Sequence, residues 1–256
     1  VKKVFGTGPR LELLSQNSKT IKSYDYGYLS TILHLSPAKS SGYEVCKWRT
    51  KECSKYCLNY SGFSLIYRSV IESRIRKTKL FFEKRDIFFA KLIKDIIKCI
   101  EYCNRTGLKL SVRLNGTSDI QWESIPVTHD GRQHDSIFDA FPNVQFYDYT
   151  KGLSRRVDNI VRPIKNYDLT YSRSEINEKH IIGLLKEGYR VSVVFNGVFP
   201  ETWNGFRVID GDKNDLRFME PGGVVVGLGP KGRLKNSGSK FIADDFNDDR
   251  FSLKVM

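Results

Sequence analysis

Three of the five cysteines in this 256-residue chain fall within one twelve-residue stretch, CKWRTKECSKYC, running from Cys46 to Cys57. Their spacing, C-x6-C-x3-C, puts three thiols in one loop directly after an apolar run, Leu29 to Leu35, that reads as a short buried strand. Without a secretory signal, such a set points to metal ligation rather than to disulfides. Thiolates suit zinc or an iron–sulfur cluster, and three cysteines leave one coordination position open to a fourth protein ligand or a substrate. His34 is the nearest imidazole in sequence, although a lone strand histidine is expected to be packed. Cys99 and Cys103 lie one helical turn apart and are expected to be buried small hydrophobes, yet they remain candidates to complete a zinc site.

These thiols must be positioned by the surrounding elements. TILHLSPA (Thr31 to Ala38) reads as the first strand, closed by Pro37. Leu65, Ile66, Val70, Ile71 and Ile75 recur at helical spacing. A second helix fits Ile87 to Asn104, with Ile87, Phe88, Leu92, Ile93, Ile96, Ile97 and Ile100 as its apolar stripe and Lys91, Lys94, Asp95 and Lys98 on its wet face. Strands are predicted at 109–116, 144–150, 167–172, 190–196, 207–212 and 224–229, with a helix over 174–188 that Ser174 should cap. Strands alternating with helices imply parallel βα units. We therefore expect an α/β fold, a full or partial β/α barrel with the cysteine-rich loop after its first strand. Residues 1–30 read as an extended lead-in, 31–235 as a single barrel-like domain, and 236–256 as a C-terminal tail or edge element.

In a barrel, chemistry gathers where strands end. Asn115, Ser118 and Asp119 follow the second strand; Asp148, Thr150 and Lys151 close the third; Ser172 and Glu175 follow the fourth; Asp210, Asp212 and Asp215 follow the sixth. Asp148, Lys151, Asp210 and Asp212 are the catalytic candidates of this ring. The net charge of +13 favours an acidic partner, nucleic acid above all. RIRKTKLFFEKR, read as lying between the two helices, sets Arg74, Arg76, Lys77, Lys79, Lys84 and Arg85 beside Phe81 and Phe82, residue types that grip phosphates and stack on bases. No stretch approaches the roughly 18–20 apolar residues of a membrane span. The N-terminal residues lack an apolar signal core, so a reducing cytoplasm is the expected location.

The phrases CSKYCLN, TKLFFEKRDIF, VRLNGTSDIQWE, VQFYDYTK, LTYSRSE, VIDGDKNDLRF and VVVGLGPKG resemble a phage protein family, the gene product eighty-eight family, from about residue 31 to 235. That resemblance implies a phage or prophage origin and no activity. A looser similarity is to radical S-adenosylmethionine enzymes, β/α barrels whose three-cysteine loop after the first strand holds a four-iron cluster. Tyr56 before the last cysteine is similar, as are Ser172 and Glu175 where such enzymes hold the cofactor's ribose. Asn115-Gly116 echoes their glycine-rich signature, whereas the usual C-x3-C-x2-C spacing is exceeded in both gaps.

Three functions follow as expectations. One is an iron–sulfur, S-adenosylmethionine-dependent enzyme acting on nucleic acid or a nucleotide, with Cys46, Cys53 and Cys57 as metal ligands and Ser172, Glu175 and Asn115 as cofactor contacts. The second is a zinc-stabilised nucleic-acid-binding phage protein without catalysis, its zinc closed by His34, Cys99 or Cys103. The third is a carboxylate-metal hydrolase or nuclease at Asp119, Asp148, Asp210 and Asp212.

Overall fold

The computed structural model describes residues 8–152 and 163–243. The predicted tail beyond residue 243 and the first seven residues of the lead-in lie outside the described residues. In chain order the elements are β1 (Leu14–Ser15), α1 (Ser18–Ile21), β2 (Tyr28–Leu33), α2 (Lys51–Lys55), α3 (Phe63–Ile66), α4 (Arg68–Glu83), α5 (Arg85–Thr106) and β3 (Lys109–Arg113). They continue with β4 (Val127–His129), β5 (Arg132–His134), α6 (Ile137–Ala140), β6 (Gln145–Thr150), β7 (Tyr167–Ser172), α7 (Glu178–Lys186) and β8 (Val191–Phe195). The last four strands are β9 (Thr202–Trp203), β10 (Phe206–Asp210), β11 (Val225–Leu228) and β12 (Ile242–Ala243).

The protein is a mixed α/β molecule built on one large, mostly parallel sheet, ordered β1-β2-β3-β6-β7-β8-β11-β10-β9. The expected full or partial barrel is not shown: among the described residues the pairing runs as an open path whose edges are the short antiparallel strands β1 and β9. Each edge strand occupies the outer hydrogen-bonding row that closure would have needed. From β2 to β8 the parallel strands nevertheless follow one another in chain order. β12 adds to β8 at Val194 and Phe195, beyond the point where β7 has ended its own pairing at Ser172.

Strand alternation divides the sheet into two unlike faces. One carries Leu29 and Leu33, Leu110 and Val112, Phe146, Leu169, Val191, Val193 and Val225, and packs with Phe88, Leu92 and Ile96 of α5 and Ile181, Leu184 and Leu185 of α7. The other carries Ser30, Ser111, Arg113, Tyr147, Tyr149, Asp168, Thr170 and Ser192. Parallel strands covered on both sides usually read as unbroken apolar runs; these alternate because one side is polar.

Three local expectations change. RIRKTKLFFEKR is not an inter-helix segment but the body and end of α4, since no Gly or Pro interrupts it and Phe81 packs on Trp122 at 5.2 Å. Asp95 is not on a wet face: it is fully buried and accepts the backbone N–H groups of Glu12, Leu13 and Leu14 at 3.0, 2.7 and 3.0 Å. Helix α7 starts at Glu178 with Asn177, not Ser174, at its N-cap, because the Asn177 side chain turns back to accept the Ser174 N–H at 2.7 Å. Within the stretch read as an extended lead-in, β1 pairs with β2, Asn17 caps α1, and β2 itself begins at Tyr28.

Candidate metal centre

After β2 the chain turns at Pro37, where Ala38 takes a positive φ of 51°. Its amide then donates to Cys46 Sγ at 3.5 Å. The same sulfur reaches the Thr117 carbonyl, just beyond β3, at 3.6 Å. Thr50 caps α2 by accepting the Cys53 N–H at 3.2 Å, and Asn59 N–H donates to Cys57 Sγ at 3.5 Å. Two of the three sulfurs thus accept backbone N–H groups, the contact that stabilises a thiolate and tunes a bound cluster.

The segment is fastened to neighbouring strand ends. Glu175, after β7, accepts from Thr50 Oγ1 at 2.8 Å and from Glu52 N at 3.1 Å. Trp48 lies against Gly152, after β6, where a Cβ would stand 2.6 Å from the indole. Gly116, after β3, donates its N–H to Leu33 O at 3.0 Å, and a Cβ there would meet Ile32 at 2.5 Å. Asp119 accepts from Thr150 Oγ1 and Lys151 N at 3.0 and 2.9 Å. Every one of these anchors stands at the carboxyl end of a parallel strand.

The three thiols are electrostatic neighbours of one another. Burial pushes Cys46 up to about 12, and the charges of Cys57 and Cys53 add to it. Burial likewise raises Cys57, with Cys53 adding to the shift. Burial alone would lower Lys151, but Cys53, Asp119 and Cys46 together outweigh it, and the ammonium hydrogen-bonds Cys53, so its pKa is raised. Lys151 also sits 5.3 Å from the centre of the Phe241 ring.

Among the described residues, no three His, Cys, Asp or Glu side chains converge as the ligands of one metal ion. One zinc needs its sulfurs about 2.3 Å from a single centre, whereas an iron–sulfur cluster spreads thiolates over its several irons. Of the groups expected to close a zinc site, the two cysteines lie elsewhere. Cys99 and Cys103 are buried in the α5 core. Burial, with Arg74 and Arg113 nearby, lowers His34 to about 3.

The other candidates separate into distinct places. Asp148 is fully buried and accepts from Asn115 N, Asn115 Nδ2 and Tyr167 OH at 2.6, 3.2 and 3.3 Å. Asn115 Oδ1 in turn receives Ser118 Oγ, Ile120 N and Trp122 Nε1, so Asn115 and Asp148 brace the turn after β3. Ser172 is buried and bonded to Ser192 Oγ at 3.1 Å. Asp210 is exposed and accepts the Asp212 N–H at 2.9 Å. Asp212 accepts Gly229 N–H at 2.9 Å and pairs with Lys231 at 3.0 Å; burial would raise its pKa, but these contacts lower it.

On α4, Arg74 donates to Asn59 Oδ1 at 2.6 Å and Lys77 to Leu13 O at 2.5 Å; burial lowers Lys77 to about 8. Arg76, Lys79, Lys84 and Arg85 are exposed, with Arg85 over the Phe81 ring at 4.9 Å. Phe82 is stacked on Tyr43 at 4.5 Å. Phe81 is therefore committed to the core and the half-buried Phe82 to its stack on Tyr43.

Sequence reasoning missed a charged cluster on the polar sheet face. Buried Asp215 takes Arg113 at 3.1 Å, Tyr147 OH at 3.3 Å, Tyr149 OH at 3.2 Å and Lys19 at 3.4 Å. Burial would raise it, but Arg113, Lys19 and Arg217 bring it to about 2. Glu220 is pushed by burial to about 7, against the pull of Arg217 and Arg190. Arg113 Nε, Arg190 Nε, Arg217 Nε, Asp168 Oδ1, Thr170 Oγ1 and Glu220 Oε2 are buried without hydrogen-bond partners. The available signal was polar residues two apart: Ser111 and Arg113, Tyr147 and Tyr149, Asp168 and Thr170.

No helix among the described residues is long and apolar enough to cross a membrane. No curated protein and no solved structure matches the chain. Residues 11–245, nearly all of the described fold, match the family model described as gene product 88, and the chain belongs to that phage protein family.

Proposed function

We propose that the protein is a phage iron–sulfur enzyme in which Cys46, Cys53 and Cys57 hold a cluster that engages S-adenosylmethionine, with a nucleic acid or nucleotide as substrate. The observation that carries this reading is the gathering of three neighbouring thiols, two of them accepting backbone N–H groups, at the carboxyl ends of consecutive parallel strands. Consecutive parallel strands with one polar face are also how a partial β/α barrel is built, and active sites in barrels sit at that end. The donor set fits the group: soft thiolates, one coordination position short of four.

When bound, such a cluster supplies an electron for cleaving S-adenosylmethionine. The chain's own residues do the rest. Ala38 and Asn59 would direct their amides at cluster-bound sulfurs, and Lys151 holds a positive charge beside Cys53. Glu175 works by fixing the start of α2, and hence Cys53, against the end of β7. Asn115 and Asp148 support the mouth from below rather than touch a ligand. The net charge of +13 supports a polyanionic substrate.

The test is metal and sulfide analysis of protein purified without oxygen. About four irons per chain, lost in Cys46→Ala, Cys53→Ala and Cys57→Ala and kept in Cys99→Ala, is the expected result. Cofactor cleavage would then be assayed on the loaded protein. One zinc would favour the non-catalytic binding protein, and no metal with freely reactive thiols would overturn the reading.

A further inference from the structure

Beside the cysteine segment lies an open cleft of about 480 Å³, within the usual range for ligand sites. Helix α2 forms one wall and residues 237–240 the other. Lys51, Lys55 and Lys240 line it and are exposed. Tyr56 presents a half-buried ring there, with the Lys55 ammonium 5.0 Å from its centre. The two acids in the lining are already committed: Glu52 to Ser239 Oγ, and Glu175 to Thr50 and the Glu52 amide. The cleft therefore offers two exposed cations, Lys51 and Lys240, and a third, Lys55, that already engages Tyr56, while its two carboxylates are hydrogen-bonded into its walls.

We propose that this cleft is the seat of a single-stranded nucleic acid, with Lys51, Lys55 and Lys240 on phosphates and Tyr56 under a base. Single strands are held by this combination, since any base has a face to stack and each phosphate needs a cation. A duplex hides its base faces, so an enzyme working on a base must have it unstacked. Placement adds to the argument: Cys53 lies on the same α2, and Tyr56 is the neighbour of Cys57. The α4 segment has exposed cations but no free ring, with Phe81 in the core and Phe82 on Tyr43. Only what befalls the bound strand rests on the iron–sulfur reading.

The test is fluorescence anisotropy of the full chain with a labelled oligothymidylate of about twelve nucleotides, titrated across salt. Each phosphate contact on a single strand contributes about −0.7 to the log–log salt slope, so Lys51→Ala/Lys55→Ala/Lys240→Ala should flatten it by about 2. Tyr56→Ala should weaken binding about tenfold at constant slope, and Tyr56→Phe should bind as wild type. Arg76→Ala/Lys79→Ala/Lys84→Ala/Arg85→Ala should keep the wild-type slope. A wild-type protein that does not bind the strand, a triple variant with an unchanged slope, or a loss confined to the α4 variant would overturn the proposal. Iron is measured on the same preparations. Strand binding without iron would retain the cleft and sink the cluster, and iron without strand binding would do the reverse.

Discussion

Glu175 ties the end of β7 to the start of α2 across more than a hundred residues, through Thr50 Oγ1 at 2.8 Å and Glu52 N at 3.1 Å. Hydrogen bonds to a charged group contribute about 1.5–3 kcal/mol each. Glu175 is half-buried, so water recovers part of that, leaving about 2 kcal/mol for the pair. Replacing it with alanine should therefore raise local opening of α2 about 30-fold. Two measurements read this on metal-free protein: hydrogen exchange at the Glu52 and Cys53 amides, and alkylation rates of Cys53 and Cys57. Cys99 and Cys103, in the α5 core, serve as internal controls. Glu175→Gln keeps one acceptor oxygen and should fall between wild type and alanine. An unchanged exchange rate at Glu52 in the alanine variant, with the fold intact, would refute the clamp. If Glu175 were instead a ribose contact, the variant would lose cofactor affinity without any change in ligand-free exchange.

Removing Asp95 as Asp95→Ala strands the buried Leu13 and Leu14 amides. The cost of about 3 kcal/mol should lower Tm by about 10 °C, and an unaltered melt would mean that these bonds contribute nothing. Glu220 has a folded pKa raised by burial to about 7, above its model-compound value of 4.5. Its contribution to stability is then full below about 4.5 and lost as pH rises through about 7. Glu220→Gln cannot titrate, so denaturant stability should decline less between about pH 5 and 8; parallel profiles would show that the carboxyl is not held neutral. Gly116→Ala places a methyl 2.5 Å from Ile32 Cγ2 and 2.7 Å from Leu33 O. It should cost about 1–3 kcal/mol and loosen Cys46, read as faster alkylation of that thiol.

What was legible in the sequence was whatever depends on period alone. β7 matches its predicted range, Tyr167–Ser172, and Phe88, Leu92, Ile93 and Ile96 of the predicted α5 stripe pack as expected, whereas Ile87 and Ile97 of that stripe are exposed. What was not legible depends on partners far along the chain. Asp95 looks like a surface acid until three amides from residues 12–14 meet it. Asp148 looks catalytic until Asn115 and Tyr167 enclose it. Glu175 was picked out for a ligand contact, and the structure shows a bond to the cysteine segment that spacing could not encode. The open sheet escaped notice because strand count does not fix closure; edge pairing does, and β1 and β9 are two-residue strands with almost no sequence signal.

The polar sheet face ties these pieces together. Burying polar side-chain atoms without partners costs about 1–3 kcal/mol each, and at least six such atoms lie on that side, on Arg113, Asp168, Thr170, Arg190, Arg217 and Glu220. A sheet selected for stability alone would carry valines there, as its helix-covered face does at Val112, Val191 and Val193. Mixed donors and acceptors in one layer call for water or a polar guest. The strands that carry this layer, β3, β6 and β7, lead into Thr117, Lys151 and Glu175, residues that contact the cysteine segment. The polar face and the cysteine segment are therefore linked through the same strands, whose inner residues stay polar and whose following loops contact that segment. Substituting the inner polar layer should disturb the cysteine segment only through those loops, whereas loosening the loops should disturb it directly.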